Sequence, residues 1–307
     1  MKIMEQRTVY MDYNATTPLH PAVREAMIAD LDVFANASSM HEAGRQARSR
    51  IESARVAVAR LVGADKQPEQ LIFTSGGSES NNTVFASMFH LARQGRRKGI
   101  VTTAIEHPCV LNAARWLESE GLPVTWLGVD DHGRIDLAEL AAVINDDTLL
   151  VSVMAANNEI GTIQDLPAIG RIAKAAGALF HSDATQAVGK IPVSVDDSLV
   201  DYLTMSCHKL YGPKGIGALF VRRTAALEPL IRGGHQEHGY RAGTYNNSGI
   251  LGFGIAAERA LAELPDYAPR LTALRNRLRD GITQAVPKVR INGHPLAVLP
   301  NTLNVSF

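Results

Sequence analysis

Cysteine is scarce in this chain, with two in 307 residues, Cys109 and Cys207. That excludes a disulfide framework and any Cys-x-x-Cys metal or redox site. Net charge is absent too. The 31 basic and 31 acidic side chains cancel, and neither sign forms a long run, so nothing selects nucleic acid or an anionic membrane as partner. No stretch is long and apolar enough to span a bilayer, and Met1 to Asp12 lacks the apolar core of a signal peptide. A cytoplasmic protein is the expectation. Internal repeats and low-complexity segments are also missing. His235 and His238 have a spacing that suits a metal, but no further ligands lie near them in sequence, and a polar loop is the simpler reading. What remains is a composition of 46% hydrophobic and 20% charged residues, typical of a soluble globular protein, in a chain long enough for two lobes.

Short apolar segments alternate with amphipathic ones. Glu42 to Val62 reads as a helix, with Ile51, Ala54, Val58 and Leu61 on one face. Strands are expected at Leu71–Thr74, Ile100–Thr103, Val124–Leu127, Thr148–Met154, Ala178–Phe180, Tyr202–Thr204 and Ile216–Val221. Helices are expected from about Ser78 to Ala92 and from Pro108 to Glu120, and Asp130–Gly133 reads as a turn. This alternation predicts an α/β fold with an open, largely parallel sheet covered on both faces. From about Ala256 to Ala285, two helical stretches separated by Pro265 are expected to lead away from the sheet, with a lobe boundary near there.

Ligands in such sheets bind beyond the carboxyl ends of the strands, and the chemistry-bearing residues sit at those ends. Ser206-Cys207-His208-Lys209 follows one strand, and a lysine so placed can form a Schiff base with an aldehyde cofactor. Asp183, in His181-Ser182-Asp183-Ala184-Thr185-Gln186, ends another strand and offers the acid that holds a pyridine nitrogen protonated. Ser75-Gly76-Gly77-Ser78 joins a third strand to a helix whose free N–H groups suit a phosphate; the plain reading is a glycine turn with Ser78 as N-cap. It is neither a Gly-x-Gly-x-x-Gly nor a Walker loop. Glu106-His107-Pro108 places an imidazole where it can stack on a ring, and the amides of Asn157 and Asn158 end the most apolar strand. Gly233 to Thr244 is a glycine-rich loop that carries charge and hydroxyls.

These pieces resemble, in order, the pyridoxal-phosphate cysteine desulfurases of the class V aminotransferase superfamily, of the nitrogen-fixation and iron–sulfur-cluster-assembly type. The resemblance runs through Tyr10–Pro18, Asn36–Gly44, Phe73–Gly76, Glu106–Pro108, Asn157–Gly161, Asp183–Gln186, Ser206–Gly215, Gly233–Thr244 and Asn301–Phe307, effectively the entire chain. It implies the fold type I of pyridoxal-phosphate transferases: a large domain over residues 17–258 on a mainly parallel, seven-stranded sheet. Residues 1–16 and 259–307 would form an incomplete small α+β domain.

By the same resemblance, Lys209 would carry the cofactor as an imine and move the substrate's α-proton, and Asp183 would hold the ring nitrogen. His107 would stack on the ring and assist protonation, while Gln186 and Asn158 would contact the ring oxygen. Gly77, Ser78, Ser206 and His208 would bind the phosphate. Thr244 would reach the cofactor phosphate of a second subunit, implying a homodimer. The implied reaction converts L-cysteine to L-alanine, a protein thiolate taking the sulfur as persulfide and passing it to a scaffold or other acceptor protein. A selenocysteine lyase, another class V lyase or aminotransferase, and a non-catalytic pyridoxal-phosphate-binding partner remain alternatives, because cofactor residues are shared among them.

The pattern stops at Phe307, before the family's sulfur-accepting cysteine loop and its carboxylate-clamping arginine, so a shortened desulfurase is expected. Cys207 fills a small-residue position and is expected to be packing. Ser78 stands where threonine is common, Ala37 replaces a usual proline and Tyr245 a usual acid.

Overall fold

Alternation within the strands decides the architecture. Leu71, Phe73, Val101, Val151, Leu203, Met205, Ala218 and Phe220 belong to one buried apolar cluster, and Ile72, Ile100, Leu150, Tyr202, Leu219 and Val221 to a second. Successive side chains of a strand point to opposite faces, so both faces of one sheet must be covered. The computed structural model, which describes residues 9–223 and 225–307, shows that sheet. Its strands are β1 (Leu71–Thr74), β2 (Gly99–Thr103), β3 (Val124–Leu127), β4 (Thr148–Ser152), β5 (Leu179–Asp183), β6 (Tyr202–Ser206) and β7 (Gly217–Val221). The spatial order is β1-β7-β6-β5-β4-β2-β3. β7 alone runs against its neighbours, so β1 to β6 all point their carboxyl ends toward the same edge.

The first cluster is closed by α2 (Glu42–Leu61), α6 (Leu166–Ala175) and the beginning of α7 (Asn247–Ala285), through residues such as Ile51, Ile169 and Phe253. The second is closed by α3 (Gly77–Gln94) and α4 (Pro108–Ser119), through Phe85, Met88, Val110 and Leu117. α1 (Pro21–Asp30) packs on α7, and α5 (Leu137–Val143) lies beside α6. Three helices start on an imidazole cap: His20, His41 and His107 each accept an N–H from the first turn through Nδ1. A separate antiparallel pair joins β8 (Arg290–Asn292) to β9 (Asn304–Ser306).

Two expectations are corrected. Pro265 does not separate two helices: α7 runs unbroken for 39 residues through Pro265 and Pro269. Each proline removes one helical N–H, but both are exposed, so the carbonyls left free face water rather than a dry interior. Gly76, not Ser78, caps α3, and it does so without a side-chain bond. Residues 1–8 of the segment assigned to the small domain lie outside the described residues. Among the described residues no helix is long and apolar enough to cross a membrane.

Candidate active site

A cavity of about 570 Å³ opens at the carboxyl edge of the sheet. Gly77, Ser78, His107, Asn158 and Asp183 line it, as do Gln186, Ser206, His208 and Lys209, so nine of the ten residues singled out from sequence meet in one place. Thr244 does not line it and is exposed at the end of its loop.

Lys209 ends a short turn of 3-10 helix, Cys207–Lys209, that follows directly on β6. Its Nζ donates to the carbonyls of Asn14 and Ala15, the latter at 2.8 Å. Burial lowers the proton affinity of this amine, although the negative charges of Asp183, Asp12 and Glu159 oppose the shift. Asp183, the last residue of β5, is held from two sides. Oδ2 accepts from Asn81 Nδ2 at 2.7 Å and Oδ1 accepts from the Thr185 N–H at 2.9 Å. Behind it, Asn81 Oδ1 lies 3.1 Å from His181 Nε2, and His181 Nδ1 lies 2.8 Å from Ser152 Oγ. Burial pushes His181 down to about 4, so the imidazole behind this carboxylate is neutral at neutral pH.

The phosphate-like end is built from backbone and hydroxyls. The first helical bond of α3 runs from Ser80 N–H to Gly76 O, so the N–H groups of Gly77 and Ser78 precede the ladder, at the positive end of an 18-residue helix. A Cβ at Gly77 would meet Thr185 Oγ1 at 3.0 Å and Ser206 Cβ at 3.7 Å, so glycine keeps this corner open. Gly217 at the start of β7 keeps the loop seated for the same reason: a Cβ there would stand 2.6 Å from Gly76 Cα. His208 Nδ1 lies 3.0 Å from Thr16 Oγ1. Burial, aided by the charges of Lys209, Lys214 and Lys190, pushes His208 down to about 4.

Among the cysteines, Cys207 is fully buried, and burial raises its thiol well above the usual range. Cys109 lines the cavity half-buried, with Sγ 2.9 Å from His107 Nδ1 and 3.2 Å from Asn81 Nδ2. Burial raises this thiol too, the Asn81 hydrogen bond working against the shift. It shares Asn81 with Asp183 and so belongs to the carboxylate's end of the cavity.

The family profile described as aminotransferase class-V matches residues 9–307. This chain belongs to the class V aminotransferase family. Cysteine desulfurase 2 of Trichormus variabilis is 47% identical over 300 residues, 97% of this chain and 74% of that protein's length. A solved NifS-like protein superposes with a TM-score of 0.94 at 40% identity, covering 98% of this chain and 82% of the other. A structure titled SspA in complex with cysteine superposes with a TM-score of 0.88 at 37% identity, over 98% and 84% of the two chains. Enzymes of this kind depend on pyridoxal phosphate, and the fold is that of their type I.

The cavity fits that cofactor on its own evidence. It pairs an amine with a buried carboxylate, and Thr185 Oγ1, which lines it, is buried without a hydrogen-bond partner among the described residues. An anion held by the α3 N–H groups would give that hydroxyl an acceptor. Thr185 and Asn14 were not singled out from sequence as site residues. Both lie inside runs that carried the resemblance, so their position in the chain was the available signal.

Proposed function

We propose that this chain is an L-cysteine desulfurase whose own residues bind pyridoxal phosphate and the amino acid and move the α-proton. The observation that carries this reading is that Lys209, an amine made less basic by burial, and Asp183, a carboxylate held on both oxygens, line one cavity of suitable size. Bound there, pyridoxal phosphate supplies an electron sink that acidifies the substrate's α-carbon.

Lys209 would anchor the cofactor and, once displaced by the substrate amine, hold and return the proton at Nζ. Asp183 would fix a protonated ring nitrogen, with Asn81 and the Thr185 N–H keeping the carboxylate in place. His107 would lie against the ring. Gln186 and Asn158 would face the ring oxygen. Ser78, Ser206, the N–H of Gly77 and the neutral His208 would hold the phosphate, joined by Thr185.

The sulfur step needs a thiolate that attacks the substrate Sγ. The C–S bond breaks, the substrate carbon gains a proton to become alanine, and the acceptor keeps the sulfur as persulfide. Cys207 cannot serve, because it is buried with its thiol protonated. A thiol delivered to the cavity, on a sulfur-acceptor or scaffold protein, fits an iron–sulfur assembly role.

The same reading makes the protein a cytoplasmic homodimer in which Thr244 reaches the second subunit's phosphate. It also assigns residues 17–258 to a large domain and 1–16 with 259–307 to a smaller one. The test is alanine release from L-cysteine by the cofactor-loaded chain with an added thiol. Alanine above the Lys209→Ala background is expected. Folded, loaded protein that releases none overturns the proposal.

A further inference from the structure

One buried amine is left unused by this chemistry. Lys190 is 2% exposed and follows Gln186 by four residues. Its Nζ donates to Gln186 Oε1 at 2.6 Å. Gln186 is itself buried and turns its other end, Nε2, toward the cavity side, where it donates to Asn14 O at 2.9 Å. The same carbonyl accepts from Lys209.

A carboxamide has two ends of nearly equal shape, and packing alone does not choose between them. An ammonium group does. It has donors only, so the amide end that faces it must be the oxygen, and the nitrogen is forced to the opposite side. Nε2 carries two hydrogens and spends one on Asn14 O. The second is left for an oxygen acceptor inside the cavity.

We propose that Lys190 is a positioning residue: its buried ammonium locks the Gln186 amide so that an N–H donor, rather than a carbonyl, faces the ring oxygen of the bound cofactor. This rests on the assignment of pyridoxal phosphate to the cavity. A donor there favours the anionic form of the ring oxygen, whereas a flipped amide would set a carbonyl against it. The lock outlasts the charge: a neutral amine still donates an N–H to Gln186 Oε1, and Asn14 O still takes Nε2. Burial, reinforced by the charge of Lys209, pulls the Lys190 ammonium down to about 7. His20, Arg259, Glu263, Tyr211 and Tyr267 share with Lys190 and Lys209 the small adjoining cavity, of about 30 Å³. Of these, Glu263 alone is a carboxylate.

The test is a double-mutant cycle read by visible absorbance. Cofactor-loaded wild type, Lys190→Met, Gln186→Ala and the double variant are titrated with base, and the pH midpoint of the colour change is recorded. Methionine keeps the volume while removing the donor; Lys190→Gln, which offers either a donor or an acceptor, replaces it if the methionine variant does not fold. Lys190→Met should raise the midpoint by about 0.5 to 1 pH unit in the wild-type background, and by less than about half of that when Gln186 is already alanine. A shift of equal size in both backgrounds would mean that Lys190 acts by charge or packing alone and would overturn the proposal. So would a midpoint that does not move. A wild type that takes up no colour with pyridoxal phosphate refutes the cofactor assignment instead, which keeps the two failures apart.

Discussion

Among the described residues, Glu106 is a carboxyl group without a cation. Oε1 accepts from the Thr103 hydroxyl and the Met154 N–H, both at 2.8 Å, and Oε2 has no partner among the described residues. Burial pushes this group up to about 8, and the charge of Asp183 adds to the shift. Between its ordinary value of 4.5 and about 8, the folded chain keeps a proton that the unfolded chain has released. Stability from this group therefore falls as pH rises across that window, by up to about 1.4 kcal/mol per pH unit. Glu106→Gln imitates the protonated form, so the difference in stability between variant and wild type should grow in the variant's favour from about pH 5 to about pH 8. Denaturant unfolding at several pH values checks this, and parallel profiles for the two proteins would refute it. At this scale the reading from sequence was uneven. Lys209 and Asp183 were legible because each stands at a strand end with hydrogen-bonding neighbours. The proton on Glu106 and the amine of Lys190 were not, because burial from distant parts of the chain creates both.

At the scale of elements, the loop from Gly233 to Thr244 is held by two ion pairs, one buried and one partly exposed. Arg55 of α2, stacked 4.9 Å from the centre of the Phe73 ring, donates from both terminal nitrogens to Glu237 at 2.7 and 2.8 Å, and Phe73 N–H donates to the same carboxylate. Both charged side chains are buried, and Glu237 and His238 adopt left-handed backbone angles, φ 46° and 57°. Such angles are costly for these residues and persist only where surroundings dictate them. Farther along, Arg241 pairs with Glu79, which also accepts the Ser75 N–H, so the loop is tied to the start of α3. Glu237→Ala takes the carboxylate from both terminal nitrogens of a buried guanidinium, leaving Arg55 only Glu52 at Nε and the Leu71 carbonyl, and should destabilise the fold by about 3 kcal/mol. Arg241→Ala, at a partly exposed pair, should cost about 1 kcal/mol or less. Chemical denaturation of the two variants side by side tests the ranking; equal losses would show that the buried pair is not what anchors the loop. Sequence placed the strands well, since two-sided burial leaves short, near-continuous apolar runs. It erred at Pro265, where local propensity argued for a break and a solvent-facing helix absorbed two prolines.

At the scale of the whole molecule, the described residues leave several large apolar side chains uncovered. Ile28, Leu31, Phe34 and Met40, on α1 and the segment after it, are 60%, 71%, 99% and 90% exposed. Exposed apolar side chains of this size, close together in the chain, are candidates for an association surface. On the proposed homodimer reading this is where a second copy would sit, and Phe34→Glu should then lower the mass measured by sedimentation toward that of one chain. A monomeric wild type would remove the basis for Thr244 acting across subunits. The α/β class and the single site were legible from the alternation of elements and from strand ends that share chemistry. The position of β7 between β1 and β6 was not, because pairing order is settled by tertiary contacts. One residue ties this architecture together. Asn14 supplies the carbonyl that both Lys209 and Gln186 use, and its side chain donates to Asn158 O and to Thr302 Oγ1 and accepts from Asn301. Asn14 and Thr302 stand 288 positions apart in the chain. A ribosome therefore releases Asp183 and Lys209 well before Asn301 and Thr302, two of the partners that steady Asn14, exist, and contacts of such long range form late. Cofactor capture on this scaffold therefore awaits Asn301 and Thr302, and a nascent chain that already displays its lysine still has an unfinished floor beneath it.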